Sequence, residues 1–165
     1  MKFRIFVTIG ILLMLLAVAN AQTKVSGTAQ CGKSDQEHVI QIGDHSNHSF
    51  SVTQGKCTYT KPFEISGTHS RESLYTTIGE MSGDTSRYRG YFVDVMANGD
   101  KAYYRFEGIQ TMKDGIPQNG KDTWTLIRGT GKLKGLKGKG TGTLKTAAAD
   151  GSTTWDVENE FELPK

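Results

Sequence analysis

From Gln22 onward, no stretch of ten or more residues places apolar side chains at i, i+3, i+4 and i+7, whereas short alternating runs broken by glycine recur throughout. A chain built this way has no amphipathic helix to bury, so it must hide its apolar side chains on one face of a sheet. Strands are predicted near 25–30, 38–42, 48–53, 56–60, 63–67, 73–79, 88–96, 101–108, 122–128, 139–146 and 153–163. Many short strands joined by tight turns form a meander, which closes as a barrel or packs as a sandwich. Neither Pro- nor Ser-rich linkers interrupt residues 22–165, and we read them as a single all-β domain.

The start of the chain has a different character. Lys2 and Arg4 form a positive n-region, an apolar run from Ile5 to Val18 is short for a membrane span, and Ala19-Asn20-Ala21 reads as an A-x-A cleavage site. Residues 1–21 are therefore expected to be a signal peptide, with the mature chain beginning at Gln22 and released to a periplasm or secreted. Without Lys2 and Arg4, the 20 basic and 17 acidic residues become 18 against 17. A chain so near neutrality has no global basic field, so neither nucleic acid nor, after cleavage, a membrane is an expected partner.

Cys31 and Cys57 are the two cysteines, and in an oxidising compartment they are expected to form a disulfide. A redox pair is the alternative, but the spacing is unlike C-x-x-C.

Two hairpins can be given a register. Asn98-Gly99 suits a type I′ turn, and pairing Ala97 with Asp100 sets Val95 opposite Ala102, Val93 opposite Tyr104 and Tyr91 opposite Phe106, with Asp94 and Phe92 on the solvent face. A turn at Asp150-Gly151 that pairs Ala149 with Ser152 sets Leu144 against Val157, Thr146 against Trp155, Gly142 against Asn159 and Gly140 against Phe161. On its outer face Lys145 meets Asp156 and Lys139 meets Glu162, so the alternating Asp156, Glu158, Glu160 and Glu162 read as a solvated strand face.

The run Gly129-Thr130-Gly131-Lys132-Leu133-Lys134-Gly135-Leu136-Lys137-Gly138-Lys139-Gly140-Thr141-Gly142 is not a phosphate loop, because no helix follows it. It carries four lysines but no aromatics for stacking on bases, and it reads as a Gly-rich bend between strands. Together with Trp124-Thr125-Leu126-Ile127 before it and Asp150-Gly151 and Trp155 after it, this run resembles bacterial proteins of the allene oxide cyclase barrel-like group. The resemblance covers roughly residues 88–163. It implies an eight-stranded antiparallel barrel of the allene oxide cyclase and dirigent kind. The plant cyclases steer an unstable oxylipin epoxide inside such a barrel, but their polar pocket residues have no matching positions here, and no catalytic residue is carried over.

Asp44, His45 and His48 are the residues with metal-ligand composition. A hairpin pairing Ile42 with His48 puts His38 opposite Val52, about 13 Å from His48, which leaves Asp44, His45 and His48 to gather at the turn as a weak metal site. Neither a G-x-S-x-G elbow nor a Cys-His pair is present. Glu64 lies between Phe63 and Ile65 and is expected to point away from them. Asn159 points inward in the Asp150-Gly151 register, and an inward amide needs a partner; the glycines Gly142 and Gly140 opposite, with Trp155 and Phe161 nearby, mark a candidate lumen site. The expected function is an exported small barrel that binds an apolar or amphipathic small molecule in its lumen, or acts as a scaffold. The alternative is a cyclase or isomerase that confines a reactive substrate. No cofactor is implied, and the oligomeric state is left open.

Overall fold

The computed structural model describes residues 22–163, so the expected signal peptide and its cleavage site lie outside the described residues. The strands are β1 (Gln22–Cys31), β2 (Gln36–Gln41), β3 (His48–Lys61), β4 (Glu64–Ile65), β5 (Thr68–Ser82), β6 (Thr85–Met96), β7 (Lys101–Lys113), β8 (Ile116–Gly129), β9 (Lys137–Ala147) and β10 (Thr153–Glu162). Among the described residues there is no α-helix, and the only helical piece is the 3-10 turn Gly131–Leu133.

Strand β3 pairs with both β1 and β5, which closes the order β3-β1-β10-β9-β8-β7-β6-β5 into an eight-stranded antiparallel barrel. Closure removes the exposed edges that a flat meander would leave. Strand β2 lies outside the ring, on the part of the β3 edge (Ser49–Gln54) that β1 does not reach. The expected strand at 63–67 shrinks to the two-residue β4, which leads Phe63 and Ile65 into the core and leaves Glu64 exposed, as the alternation required.

The seam between β1 and β3 is short, four residue pairs from Thr28 with Lys61 to Cys31 with Cys57. The disulfide joins Cys31 to Cys57 at the end of that seam, between directly opposed residues 26 positions apart in sequence. It ties together the ends of the meander where hydrogen bonding is sparsest.

The barrel is filled from one end. There Met96, Leu133, Leu136, Phe161, Phe63 and Ile65 are buried. The Gly/Lys run accounts for two of them: Thr130 bonds to Lys101, Gly131 takes φ +51° and the 3-10 turn lays Leu133 and then Leu136 across the barrel end, with its lysines outward. Glycine is required at 131 because a Cβ there would strike the Asp100 carboxylate, which already accepts the Lys132 N–H at 3.0 Å.

The β6–β7 hairpin differs from the expected register by one residue. Only Gly99 has positive φ, the Gly99 N–H bonds to the Met96 carbonyl, and the Met96 N–H bonds to Asp100, so the loop has three residues and a glycine bulge. Asp94 therefore pairs with Ala102, Phe92 with Tyr104 and Gly90 with Phe106. A slip of one exchanges the faces. Asp94 is 1% exposed, whereas Tyr91, expected inside, is 59% exposed.

The β9–β10 hairpin is corrected by two. Its turn is again a three-residue loop ending at Gly151 (φ +87°), and a bulge beside Trp155 adds a second shift. Two slips restore the faces, so Trp155, Val157, Asn159 and Phe161 still point inward, but Asn159 faces Gly140, Val157 faces Gly142, and Phe161 faces Gly138. Of the expected outer ion pairs, Lys145 with Asp156 forms at 3.5 Å, whereas Lys139 meets Glu160 at 3.6 Å in place of Glu162.

Candidate functional site

The inward residues form rows across the strands in which glycine alternates with large side chains. One row runs Gly90, Phe106, Trp124, Gly140, Asn159, Val25, and the next runs Tyr88, Gly108, Asp122, Gly142, Val157, Gly27. The missing side chains do not leave voids. A Cβ on Gly140 would run into the Trp124 ring, on Gly142 into the Asp122 carboxylate, on Gly108 into the Tyr88 ring, and on Gly138 into the Phe161 ring. Each glycine thus makes room for its cross-strand neighbour, which is how a narrow barrel accommodates aromatic rings.

The Asn159 amide, buried as expected, donates to the Val25 carbonyl at 3.5 Å and so finds its partner in the backbone. Trp155 is half-buried, with its indole N–H given to Thr153 Oγ1 at 3.1 Å and its ring over Gly120. Phe161 and Trp124 belong to the aromatic plug of the filled end, where Phe92 stacks on Tyr104 at 4.4 Å and Tyr104 meets Trp124 edge-on at 4.9 Å.

Two acids inside the barrel carry the chemistry that the sequence reading missed. Asp94 lies within the plug; burial pushes its carboxyl up to about 7, against the pull of hydrogen bonds from the Tyr59, Ser73 and Tyr104 hydroxyls. The same burial holds the Tyr59 and Tyr104 phenols well above their usual range, so both keep their protons and donate hydrogen bonds to Asp94. Asp122 lies nearer the other end, where burial raises it to about 6, opposed by a hydrogen bond from the Gly142 N–H. Beside it the Tyr88 hydroxyl is buried with no hydrogen-bond partner among the described residues. Burial, then the Asp122 charge, raises the Tyr88 phenol as well.

Toward this second end the inward side chains are less covered. Tyr75, Tyr88, Trp155 and Val157 pack against the core yet stay half-buried, and inward Thr77 and Gln110 follow them toward the rim. Tyr75 Oη lies 3.3 Å from Ser34 Oγ, in the connection that passes this end. At this end Asp122 and the buried Tyr88 hydroxyl lie near each other among inward side chains that are half-buried.

A broad concavity lies elsewhere, on the outer wall. It is an open trough of about 1290 Å³ between rows of outward side chains that include Lys24, Glu160, Lys139, Arg105 and Tyr91. Three of its charges pair, Lys24 with Glu160 at 3.1 Å and Lys139 with the same carboxylate at 3.6 Å. The buried polar side chain among its lining residues, Asn159, is engaged with the Val25 carbonyl, so we take the lumen as the candidate site.

The Asp44, His45 and His48 atoms that could hold a metal lie within 4.8 Å of one another at the β2–β3 turn, and the β2–β3 register is the expected one, with His38 opposite Val52.

No family profile matches the chain, and no curated protein is significantly similar to it. Solved structures do share the fold. A pterocarpan synthase dirigent protein superposes with a TM-score of 0.51 at 10% identity, over 87% of this chain and 89% of that one. A conserved protein of unknown function from Rhodopseudomonas palustris gives 0.52 at 8% identity, over 86% and 99%. A protein with unknown function of the DUF3224 family from Shewanella oneidensis, with a TM-score of 0.45 at 15% identity over 88% and 99%, is too distant to add to that likeness. The barrel is of the dirigent kind, and at these identities the likeness is one of fold.

Proposed function

We propose that this chain is an exported barrel, periplasmic or secreted, that binds one small apolar or amphipathic molecule in the open half of its lumen. The observation that carries this reading is the set of inward yet half-buried rings of Tyr75, Tyr88 and Trp155, with Asp122 close to Tyr88. Filled barrels bury such rings fully; here their incomplete burial leaves apolar surface for a ligand, and Asp122 with the Tyr88 hydroxyl supplies polar anchors. The disulfide supports export, since such bonds persist in oxidising compartments.

Titration with the neutral fluorescent probe N-phenyl-1-naphthylamine tests it. The mature chain should bind one probe per barrel, and Thr77→Phe, which places a ring at the mouth between Tyr75 and Gly79, should weaken binding at least about tenfold, or about 1.4 kcal/mol. A folded parent that binds no probe, or a folded variant that binds it unchanged, leaves the scaffold reading in place.

A second reading is favoured by Asp122. A carboxyl at about 6 beside an unpaired phenol is poised to exchange a proton near neutral pH, and the fold is shared with a pterocarpan synthase. On this reading the barrel is a cyclase or isomerase that confines a reactive substrate. Turnover of a reactive fatty-acid epoxide, abolished in Asp122→Asn with probe binding kept, would select it over simple binding.

A further inference from the structure

The turn between β2 and β3 carries an arrangement that the lumen reading does not use. Gly43 (φ +81°) and Asn47 (φ +57°) reverse the chain, and the Ile42 N–H closes it on the His48 carbonyl at 2.9 Å. This brings both imidazoles to one carboxylate oxygen: His48 Nδ1 lies 2.6 Å and His45 Nδ1 3.1 Å from Asp44 Oδ1, with the rings stacked at 4.4 Å.

The far side of each ring is also engaged. His48 Nε2 lies 3.1 Å from Glu80 Oε1, and His45 Nε2 lies 3.2 Å from Ser82 Oγ, both partners coming from the neighbouring β5. Both neighbours of the His48 ring are carboxylates, which only accept, so without a metal each ring nitrogen donates to its own carboxylate; a cation bound at Nδ1 takes the place of the proton shared with Asp44 and leaves the Nε2–H tautomer bonded to Glu80. Ser82 can hold His45 in the same tautomer. The two Nδ1 atoms and the Asp44 oxygen thus converge on one point, which a proton on each nitrogen or a single cation can satisfy. Ring nitrogens oriented by outer hydrogen bonds, one of them to a carboxylate, are the arrangement that supports metal-ligating histidines.

We propose that Asp44, His45 and His48 bind one first-row divalent transition metal ion at the outer rim of the barrel, with Glu80 and Ser82 as positioning residues. The ligand atoms all lie within 4.8 Å of one another, a span that an ion with bonds of about 2 Å closes by small side-chain rotations. Imidazole ligands select zinc, copper or nickel over calcium and magnesium. Such an ion would fasten the β2–β3 turn, the outermost part of the sheet.

Calorimetric titration of the mature, disulfide-bonded chain with zinc chloride at pH 7.5 tests this, together with the electron paramagnetic resonance spectrum of the copper(II) form. One ion per chain, bound tighter than about 0.1 mM, and two imidazole nitrogens in the copper spectrum are expected. Glu80→Gln should weaken zinc about 10–100-fold without moving the metal-free melting temperature, and His45→Gln should weaken it more. His69→Gln, remote on β5, should bind as the parent does. A parent that takes up no ion to 1 mM, a copper spectrum with fewer than two nitrogens, or equal losses in His69→Gln and His45→Gln would each overturn the proposal.

Discussion

Tyr59 on β3 donates its hydroxyl proton to Asp94 Oδ1 on β6 at 3.0 Å, in the middle of the filled half of the barrel. No cation is among the groups that shift Asp94, which is stabilised by the hydroxyls of Tyr59, Ser73 and Tyr104 alone. A carboxylate in that position is costly and a carboxylic acid is not, so the proton is part of the core.

Stability should therefore depend on pH through Asp94. Burial raises its folded pKa to about 7, above the ordinary aspartate value of 3.8, so the unfolded chain ionises first. Its contribution is full below about pH 4, is lost as pH rises, and is gone above about pH 7. Asp122, raised to about 6, and His48, raised by its bonds to Asp44 and Glu80, act in the same sense, so the parent alone cannot isolate the effect. The difference between the parent and Asp94→Asn can. In urea titrations the two should agree within about 1 kcal/mol at pH 4.5, and at pH 7.5 the variant should be the more stable, by a few kcal/mol in order of magnitude. A constant difference across that range would mean that Asp94 is ionised in the native state.

This acid was hidden from the sequence by a turn. Ala97-Asn98-Gly99-Asp100 satisfies a two-residue type I′ turn as readily as a three-residue loop with a glycine bulge, and the choice moves Asp94 from solvent to core. Both registers leave apolar residues outside, Phe92 in one and Tyr91, Val93 and Val95 in the other, so patterning did not decide. The inward set Trp155, Val157, Asn159 and Phe161 was legible only because a turn error and a bulge cancel in parity. Alternation alone gave the all-β class and the burial of Phe63 and Ile65. Closure could not be read locally, because β3 meets β1 and β5 through long-range pairings that no turn encodes.

The disulfide should hold the closing seam. In the chain-entropy account, a loop spanning the 26 positions between Cys31 and Cys57 contributes about 3.5 kcal/mol. Reduction and alkylation should lower the urea midpoint accordingly, and amide exchange should quicken first at Thr28–Cys31 and Cys57–Lys61, the paired residues of the seam. An unchanged midpoint with unchanged exchange would place the seam's stability in its hydrogen bonds.

The two glycines singled out for the lumen should respond differently to an added methyl. At Gly140 a Cβ would meet both the Trp124 ring and the Glu158 backbone carbonyl, and the carbonyl cannot yield without moving β10. Gly140→Ala should cost about 3 kcal/mol or more, and shrinking Trp124 should not rescue it. At Gly142 the three nearest obstacles are all atoms of the Asp122 carboxylate, the end of a side chain that can rotate away. Gly142→Ala should cost about 1–2 kcal/mol in the parent, since Asp122 must give up its bond to the Gly142 N–H, but little or nothing in Asp122→Ala. Urea titrations of the two single variants and the double variant close that cycle. A coupling near zero would mean that Asp122 does not occupy the space beside Gly142, and would reopen that level of the lumen to a ligand.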